Sequence, residues 1–303
     1  MVAYDSVTGD LGVAVQSKFP NVGGIVPWAR AGVGAVATQS LGNTDYGEKG
    51  LEVMAMGATA PEALRIVMRG DPRPAQRQVG MVDARRGGNA ASWTGDSTFD
   101  WAGGRVGGGA VGGKGQLIVG RGYAAQANIM VSDQTVRNMA ETFERARGAL
   151  ADRLLAALGA GQAGGGDKRG MQSAALLVVR KDAGYLGLND RYIDIRVYDA
   201  ADPIKELARL YELHRLYFFS TDSADLVPIT PALQRELEAI LLREPLGQRE
   251  KWLAAPQPSL NDTFLNALAN FMYWENYDVR VRMDGRIDRV VLDDIRKNRR
   301  PRR

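Results

Sequence analysis

The segment Val2-Ala-Tyr-Asp-Ser-Val-Thr-Gly-Asp-Leu-Gly-Val-Ala-Val15 sets the period of the chain. Three apolar residues, a turn rich in Asp, Ser, Thr and Gly over Asp5 to Asp10, and a second apolar run from Leu11 read as a β-hairpin. Working outward, Gly32 to Thr38 gives a third strand. Tyr46 to Met56 and Pro61 to Met68 have helical spacing, with Thr59 and Glu62 placed as a capping box and Pro61 at an early helical position. A second hairpin is expected from Gln78 to Asp83 and Asn89 to Thr94, joined by Ala84-Arg-Arg-Gly-Gly88.

From Gly103 to Gly122, ten of twenty residues are glycine, which predicts a long flexible loop. Its Lys114 is not followed by Ser or Thr and the GxxxxGK spacing is absent, which argues against a phosphate loop. A strand follows over Tyr123 to Asn128. Helices are expected from Ser132 to Arg147 and from Leu150 to Leu158, then strands at Ser173 to Arg180 and Tyr192 to Tyr198, and a helix from Pro203 to Tyr217. Strands, helices, strands, helices, strands and helix in that order predict an α+β fold, a four-layer αββα sandwich. Composition shifts near Ser220. Helices at Pro231 to Arg243, Asn261 to Tyr277 and Asp288 to Lys297, with a turn at Asp284-Gly285, predict a small helical domain over residues 221–303, after a first domain over 1–220. Trp252, Phe264, Phe271 and Trp274 are expected in its core, and Trp93 and Trp101, which flank a turn, read as core packing or as the wall of a pocket.

The chain has 303 residues, 45% of them hydrophobic and 24% charged, and its apolar runs are too short for a transmembrane segment. The first residues, Met1 to Asp5, contain no basic n-region and no apolar h-region. The location expected from the chain as written is cytoplasmic, or exported if a signal segment lies upstream. With no cysteine and a single histidine, His214, thiolate catalysis, zinc sites of the HExxH kind and a Ser-His-Asp triad with a GxSxG elbow are excluded or disfavoured. No metal or cofactor is expected. Six of the last eight residues are basic, so the net charge of +4 belongs to a tail. No basic stripe interleaved with aromatics points to nucleic acid. One hydrolytic strategy fits this inventory: a Ser or Thr at a free amino terminus that uses its own α-amine as base.

Four segments carry a resemblance: Leu11-Gly-Val-Ala-Val-Gln-Ser-Lys-Phe19, Val26-Pro-Trp-Ala-Arg-Ala-Gly-Val-Gly-Ala-Val-Ala-Thr-Gln39, Gly165-Gly-Asp-Lys-Arg-Gly-Met-Gln-Ser-Ala-Ala-Leu176 and Asp194-Ile-Arg-Val197. The chain up to about Tyr217 resembles the N-terminal-nucleophile (Ntn) hydrolase-like family called domain of unknown function 1028. Phe271 to Arg280 and Gly285 to Leu292 are similar to a peptidoglycan-binding domain that follows some members, which implies a glycan or muropeptide contact. Members usually carry a Thr-Phe-Ser-Ile-like stretch just before the segment that begins here at Val2. The resemblance therefore implies a nucleophile upstream of Val2 that this chain does not contain.

The superfamily layout implies that Gln16, Ser17 and Lys18 stand near the amino terminus. Lys18 reads equally as a cation tuning the amine or as an exposed strand-end charge, and Arg30 as a second such cation or an ion-pair partner. Thr38 and Gln39 would line the pocket, and Asn128 would donate to an oxyanion or serve as a turn residue. Asp167, Arg169, Gln172 and Ser173 would bind substrate or hold their loop. The activity implied is hydrolysis of a small amide or peptide; the alternative is a non-catalytic binding protein of the same fold, for example for peptidoglycan fragments. A homodimer is expected from general frequencies alone.

Overall fold

The computed structural model describes residues 1–84, 88–244 and 252–298. The chain divides into two compact units, Met1–Leu210 and Tyr211–Arg303.

In the first unit, β1 (Val2–Tyr4), β2 (Leu11–Ser17), β7 (Gly103–Val106), β9 (Gln116–Ile118), β10 (Tyr123–Ala127), β11 (Ser173–Val179) and β12 (Arg191–Val197) form a seven-stranded sheet in the order β12-β11-β2-β1-β10-β7-β9. A five-stranded sheet contains β3 (Pro27–Arg30), β4 (Gly34–Ser40), β5 (Arg77–Asp83), β6 (Ala90–Thr94) and β8 (Gly109–Gly113) in chain order. The alternation of side chains along each strand supplies the packing. Val2, Val13, Val15 and Ala175 of the first sheet share one buried cluster with Ala35, Ala37, Val82 and Ala90 of the second.

The other face of each sheet buries helices. Tyr46 and Met54 of α1 (Asp45–Ala55) and Leu64 of α2 (Ala60–Arg69) pack with Val36, Val79 and Met81. Thr59 and Glu62 form the expected capping box at the start of α2. On the first sheet, Gly12 lies so close to α4 (Leu150–Ala163) that a Cβ there would come within 2.6 Å of Leu154. Tyr123 packs its ring 5.2 Å from that of Phe143 on α3 (Gln134–Arg145). Trp93 lies against the α1 and α2 cluster, and Trp101 against Ala127, Met130 and Val136. The helix α5 (Pro203–Phe218) runs across the division between the units.

The glycine-rich stretch is not the flexible loop its composition predicts; it forms β7, β8 and β9. Glycine is required there for close approach. Gly109 (φ +158°) and Gly113 (φ +75°) lie beside β6, where a Cβ would fall 1.6 Å from the Ala90 carbonyl oxygen and 1.7 Å from that of Thr94. The connection expected at Ala84-Arg-Arg-Gly-Gly88 falls partly outside the described residues, which omit 85–87.

The second unit holds a two-stranded ribbon, β13 (Leu226–Pro228) with β14 (Arg286–Asp288), and the helices α6 (Pro231–Leu241), α7 (Asp262–Trp274) and α8 (Arg289–Asn298). Trp252, Phe264 and Phe271 are in its core, but Trp274, expected there, is the last residue of α7 and is 54% exposed, with one edge of its ring against Trp252. The buried guanidinium of Arg280 pairs with buried Asp288 and donates to the carbonyl oxygens of Leu216 and Arg215, both at 2.7 Å. Of the basic tail, Arg296 pairs with Glu236 at 2.8 Å, and Arg299, Arg300, Arg302 and Arg303 lie outside the described residues. Among the described residues no helix is long and apolar enough to cross a membrane.

Candidate functional site

β1 is the shortest strand at the centre of its sheet, and the site follows from that. Val2 faces Val13 on one side and Ala124 on the other, yet β2 runs on to Ser17 and β10 to Ala127. Past Met1, no strand among the described residues lies between β2 and β10, which are there two inter-strand spacings or ~10 Å apart. Met1 exchanges both backbone hydrogen bonds with Ala14, at 2.8 and 3.0 Å. Antiparallel alternation then turns the N–H and C=O of Gln16 toward the same gap.

This gap opens into a cavity of about 580 Å³. Its lining comes from both faces of the first sheet: Val26, Thr38 and Gln39 on the side of the second sheet, and Thr135, Met139 and Leu158 on the side of α3 and α4. The cavity thus passes through the plane of the sheet. The α-amine of Met1 is fully buried in it, and loss of hydration pushes that amine down from 8.0 to about 5. An ordinary amine at this place is neutral at pH 7.

Gln78 organises the polar side of the site. It is fully buried on β5; its amide nitrogen donates to Thr94 Oγ1 at 2.9 Å and to the Ala127 carbonyl at 2.8 Å. Its oxygen accepts from Gln39 Nε2 at 2.8 Å and from Asn128 Nδ2 at 2.9 Å. Both amide side chains are thereby held in one orientation, and Asn128 keeps a second N–H for another acceptor. Gln126 is buried beside Gly80, and both ends of its amide have no partner among the described residues. The same holds for Thr135 Oγ1 and Gln162 Oε1, which also belong to lining residues. Buried polar atoms normally find a partner, so unsatisfied ones around a cavity mark it as a place for polar ligand groups.

Three loops make the mouth. In the first, Arg77 donates to Asp71 at 2.8 and 3.3 Å and to the Leu41 carbonyl, while Tyr46 donates its hydroxyl to Asp71 at 2.8 Å. The hydrogen bond from Arg77 is the main reason the Asp71 carboxyl is held well below the usual carboxylate range. Burial, then the bond to Asp71, pushes the Tyr46 hydroxyl above its ordinary value. In the second, Asp167 accepts two bonds from Arg169, at 3.0 and 2.7 Å, and the hydrogen bond to Asp167 raises the affinity of Arg169 for its proton. In the third, Ile129 adopts φ +62°, which is costly for a β-branched residue. Its N–H donates to Phe99 and its carbonyl accepts from Lys168, at 3.0 and 2.9 Å. Such backbone strain at a cavity wall is a frequent companion of function.

Of the residues expected from sequence, Gln16, Ser17, Thr38, Gln39, Asn128, Asp167 and Arg169 line this one cavity. The other four do not. Lys18 is exposed with Nζ 3.5 Å from the Met171 carbonyl, and Arg30 is exposed at the end of β3. Gln172 uses its backbone to bridge Ser17 and Ala200. Ser173 is buried and holds the 19–22 turn, donating to the Phe19 carbonyl at 2.5 Å and accepting from the Val22 N–H at 3.0 Å. Sequence reasoning missed Gln78, Gln126, Asp71, Arg73 and Arg77. Gln126 carries a usable signal, because it is an amide inside an otherwise apolar strand, and Gln78 a weaker one, as a buried amide just ahead of the apolar run Val79 to Val82. No group of three or more His, Asp or Glu side chains among the described residues could hold a metal ion.

A family model described as a family of unknown function, DUF1028, matches residues 1–207. Among solved structures, the chain is similar to protein SPO2555 from Silicibacter pomeroyi, assigned to the same family model. That match has 27% identity and a TM-score of 0.59, and it covers 74% of this chain and 90% of that one. No curated protein matches the chain.

Proposed function

The chain belongs to the family of unknown function DUF1028, and from that premise we propose that its first unit is a four-layer Ntn-type amide hydrolase whose nucleophile stands in the gap between β2 and β10. The observation that carries this reading is the cavity beside β2 and β10, where Gln78 holds the amides of Gln39 and Asn128 in one orientation around a buried amine. Were β1 continued in the same register, one residue ahead of Met1 would face Val15 and Gln126, a second Gln16 and Ala127, and a third Ser17 and Asn128. A Ser, Thr or Cys near that third place would meet the polar end of the cavity.

The chemistry follows from the inventory. The hydroxyl or thiol attacks the amide carbon, giving its proton to the α-amine of its own residue, which returns a proton to the departing amine. Water then releases the acyl group. The second N–H of Asn128 is a donor for the oxyanion. Lys18 and Arg30 are exposed and do not line the cavity, so this reading gives them no part in the chemistry.

The test compares the chain beginning at Met1 with a form extended by the residues encoded immediately upstream, together with the intact mass of the native protein. The extended form should cleave members of a labelled amide library and lose turnover when its first Ser or Thr is replaced by Ala. A native terminus at Met1 or Val2 with no turnover would defeat the hydrolase reading.

One observation favours the second reading, a binding protein for peptidoglycan fragments. At the end of α7 in the second unit, Tyr273 and Trp274 are both more than half exposed, and an exposed aromatic ring with a polar tip suits a polar ligand that also has apolar faces, such as a sugar. Saturable muropeptide binding lost in Trp274→Ala, without turnover, is its expected signature.

A further inference from the structure

The proposed extension of β1 occupies the gap within the sheet, which leaves the mouth of the cavity for substrate. Two features there have no use in the packing of the unit. Phe19, Leu41 and Phe99 line the cavity, yet they are 46%, 56% and 73% exposed. Each comes from a different loop, so three separate segments each set one large apolar side chain at the same opening.

The second feature is charge. Four ionisable side chains line the cavity: Arg73, Arg77, Asp167 and Arg169. Arg169 is neutralised by Asp167 at 2.7 Å, and Arg77 by Asp71 behind the wall at 2.8 Å. With the extension in place Met1 carries an amide and adds no charge; where Met1 is the terminus, its amine, at about 5, adds none at pH 7. Arg73 has its backbone N–H fixed on Asp71 at 2.8 Å, and no described carboxylate pairs with its guanidinium. The opening therefore carries one uncompensated positive charge beside an apolar rim.

We propose that this mouth binds a short linear amide that ends in a carboxylate and carries an apolar group on its acyl side, as in an N-acyl amino acid. The carboxylate accepts from the guanidinium of Arg73, whose planar fork suits it. The acyl chain covers Phe19, Leu41 and Phe99, and the amide between them reaches the end of the cavity where Asn128 and Gln39 are held. This deepens the hydrolase reading by naming the substrate class, and it rests on that reading for the chemistry alone.

The experiment measures binding by calorimetry on the full chain, with octanoyl-alanine and its neutral counterpart octanoyl-alaninamide. The acid should bind about tenfold more tightly, the size expected of one partly solvated charge-assisted contact. Arg73→Gln should erase that preference and Arg73→Lys restore part of it, while Phe99→Ala should weaken both ligands alike. Equal affinity for the two ligands, a preference that survives Arg73→Gln, or binding of neither would overturn the assignment. Turnover is scored separately: binding of the acid without cleavage by the extended form counts against the hydrolase alone. Cleavage of amides regardless of a terminal carboxylate counts against this assignment alone.

Discussion

Lowering the pH from about 8 to about 5 changes the protonation of very few groups in this chain. The α-amine of Met1 is one of them. In the unfolded chain it titrates near its ordinary value of 8.0, whereas the folded first unit seals it from water and brings it to about 5. At pH values above both, neither state binds the proton and the folded unit keeps its full stability. As the pH falls through that interval, the unfolded chain takes up a proton that the folded unit refuses, so stability declines; below both values the loss is complete. Three pH units at ~1.4 kcal/mol each set a ceiling of about 4 kcal/mol. Asp71 does not confuse the window. Its carboxyl is depressed, so its contribution is present above the usual carboxylate value and is lost only at more acid pH. His214, the sole histidine, lies in the second unit and can be removed as His214→Gln. Hydrogen exchange of the amides of Leu11–Ser17, corrected for intrinsic rates, reads the stability of the first unit. Acetylation of the Met1 amine supplies the control, since an amide cannot take the proton. A protection free energy that stays flat between pH 5 and 8, or that slopes equally in the acetylated protein, would refute the reasoning.

Gly109→Ala should destabilise the first unit by more than the ~1 kcal/mol of an ordinary glycine substitution, because its Cβ would stand 1.6 Å from the Ala90 carbonyl oxygen; thermal unfolding compared with Gly70→Ala, where nothing lies within 4 Å, measures the excess. Asp71→Asn leaves the buried Arg77 guanidinium without its partner and should cost about 3–5 kcal/mol. Asp71→Asn combined with Arg77→Met should cost less than Asp71→Asn alone in urea denaturation.

The sequence made the two hairpins, the capping box at Thr59 and the helical layers legible because each is local: turn residues at fixed offsets, or apolar residues at periods of two and three to four. The short β3, Pro27–Arg30, was hidden by its single-turn distance from β4 and by a proline at its start. The arm from Gly103 to Ile118 was misread for a different reason. Glycine content reports freedom in an isolated chain, whereas here it reports how near one backbone lies to another, and only tertiary structure tells the two apart. At the site, Gln16, Ser17, Thr38, Gln39 and Asn128 are pointed to by the family resemblance rather than by spacing, and they line one cavity. Asp71 and Arg77 are not, since Asp71 meets Tyr46 and Arg77 meets Leu41 through contacts between segments apart in sequence, and Arg73 joins them through its backbone bond to Asp71. Ser173 shows the converse: a serine opening a buried strand looks like a site residue but ties down the turn beside it.

The strands β7, β8 and β9 succeed one another in the chain, yet β8 is the last strand of the five-stranded sheet while β7 and β9 end the seven-stranded one. The polypeptide crosses from one layer to the other and back within a few residues, so it acts as a clasp along one border of the unit. Neither layer can shed its outermost strand without pulling on its neighbour. Slippage of the two layers past each other is blocked along that border, and the wall of the cavity made by both layers keeps its shape.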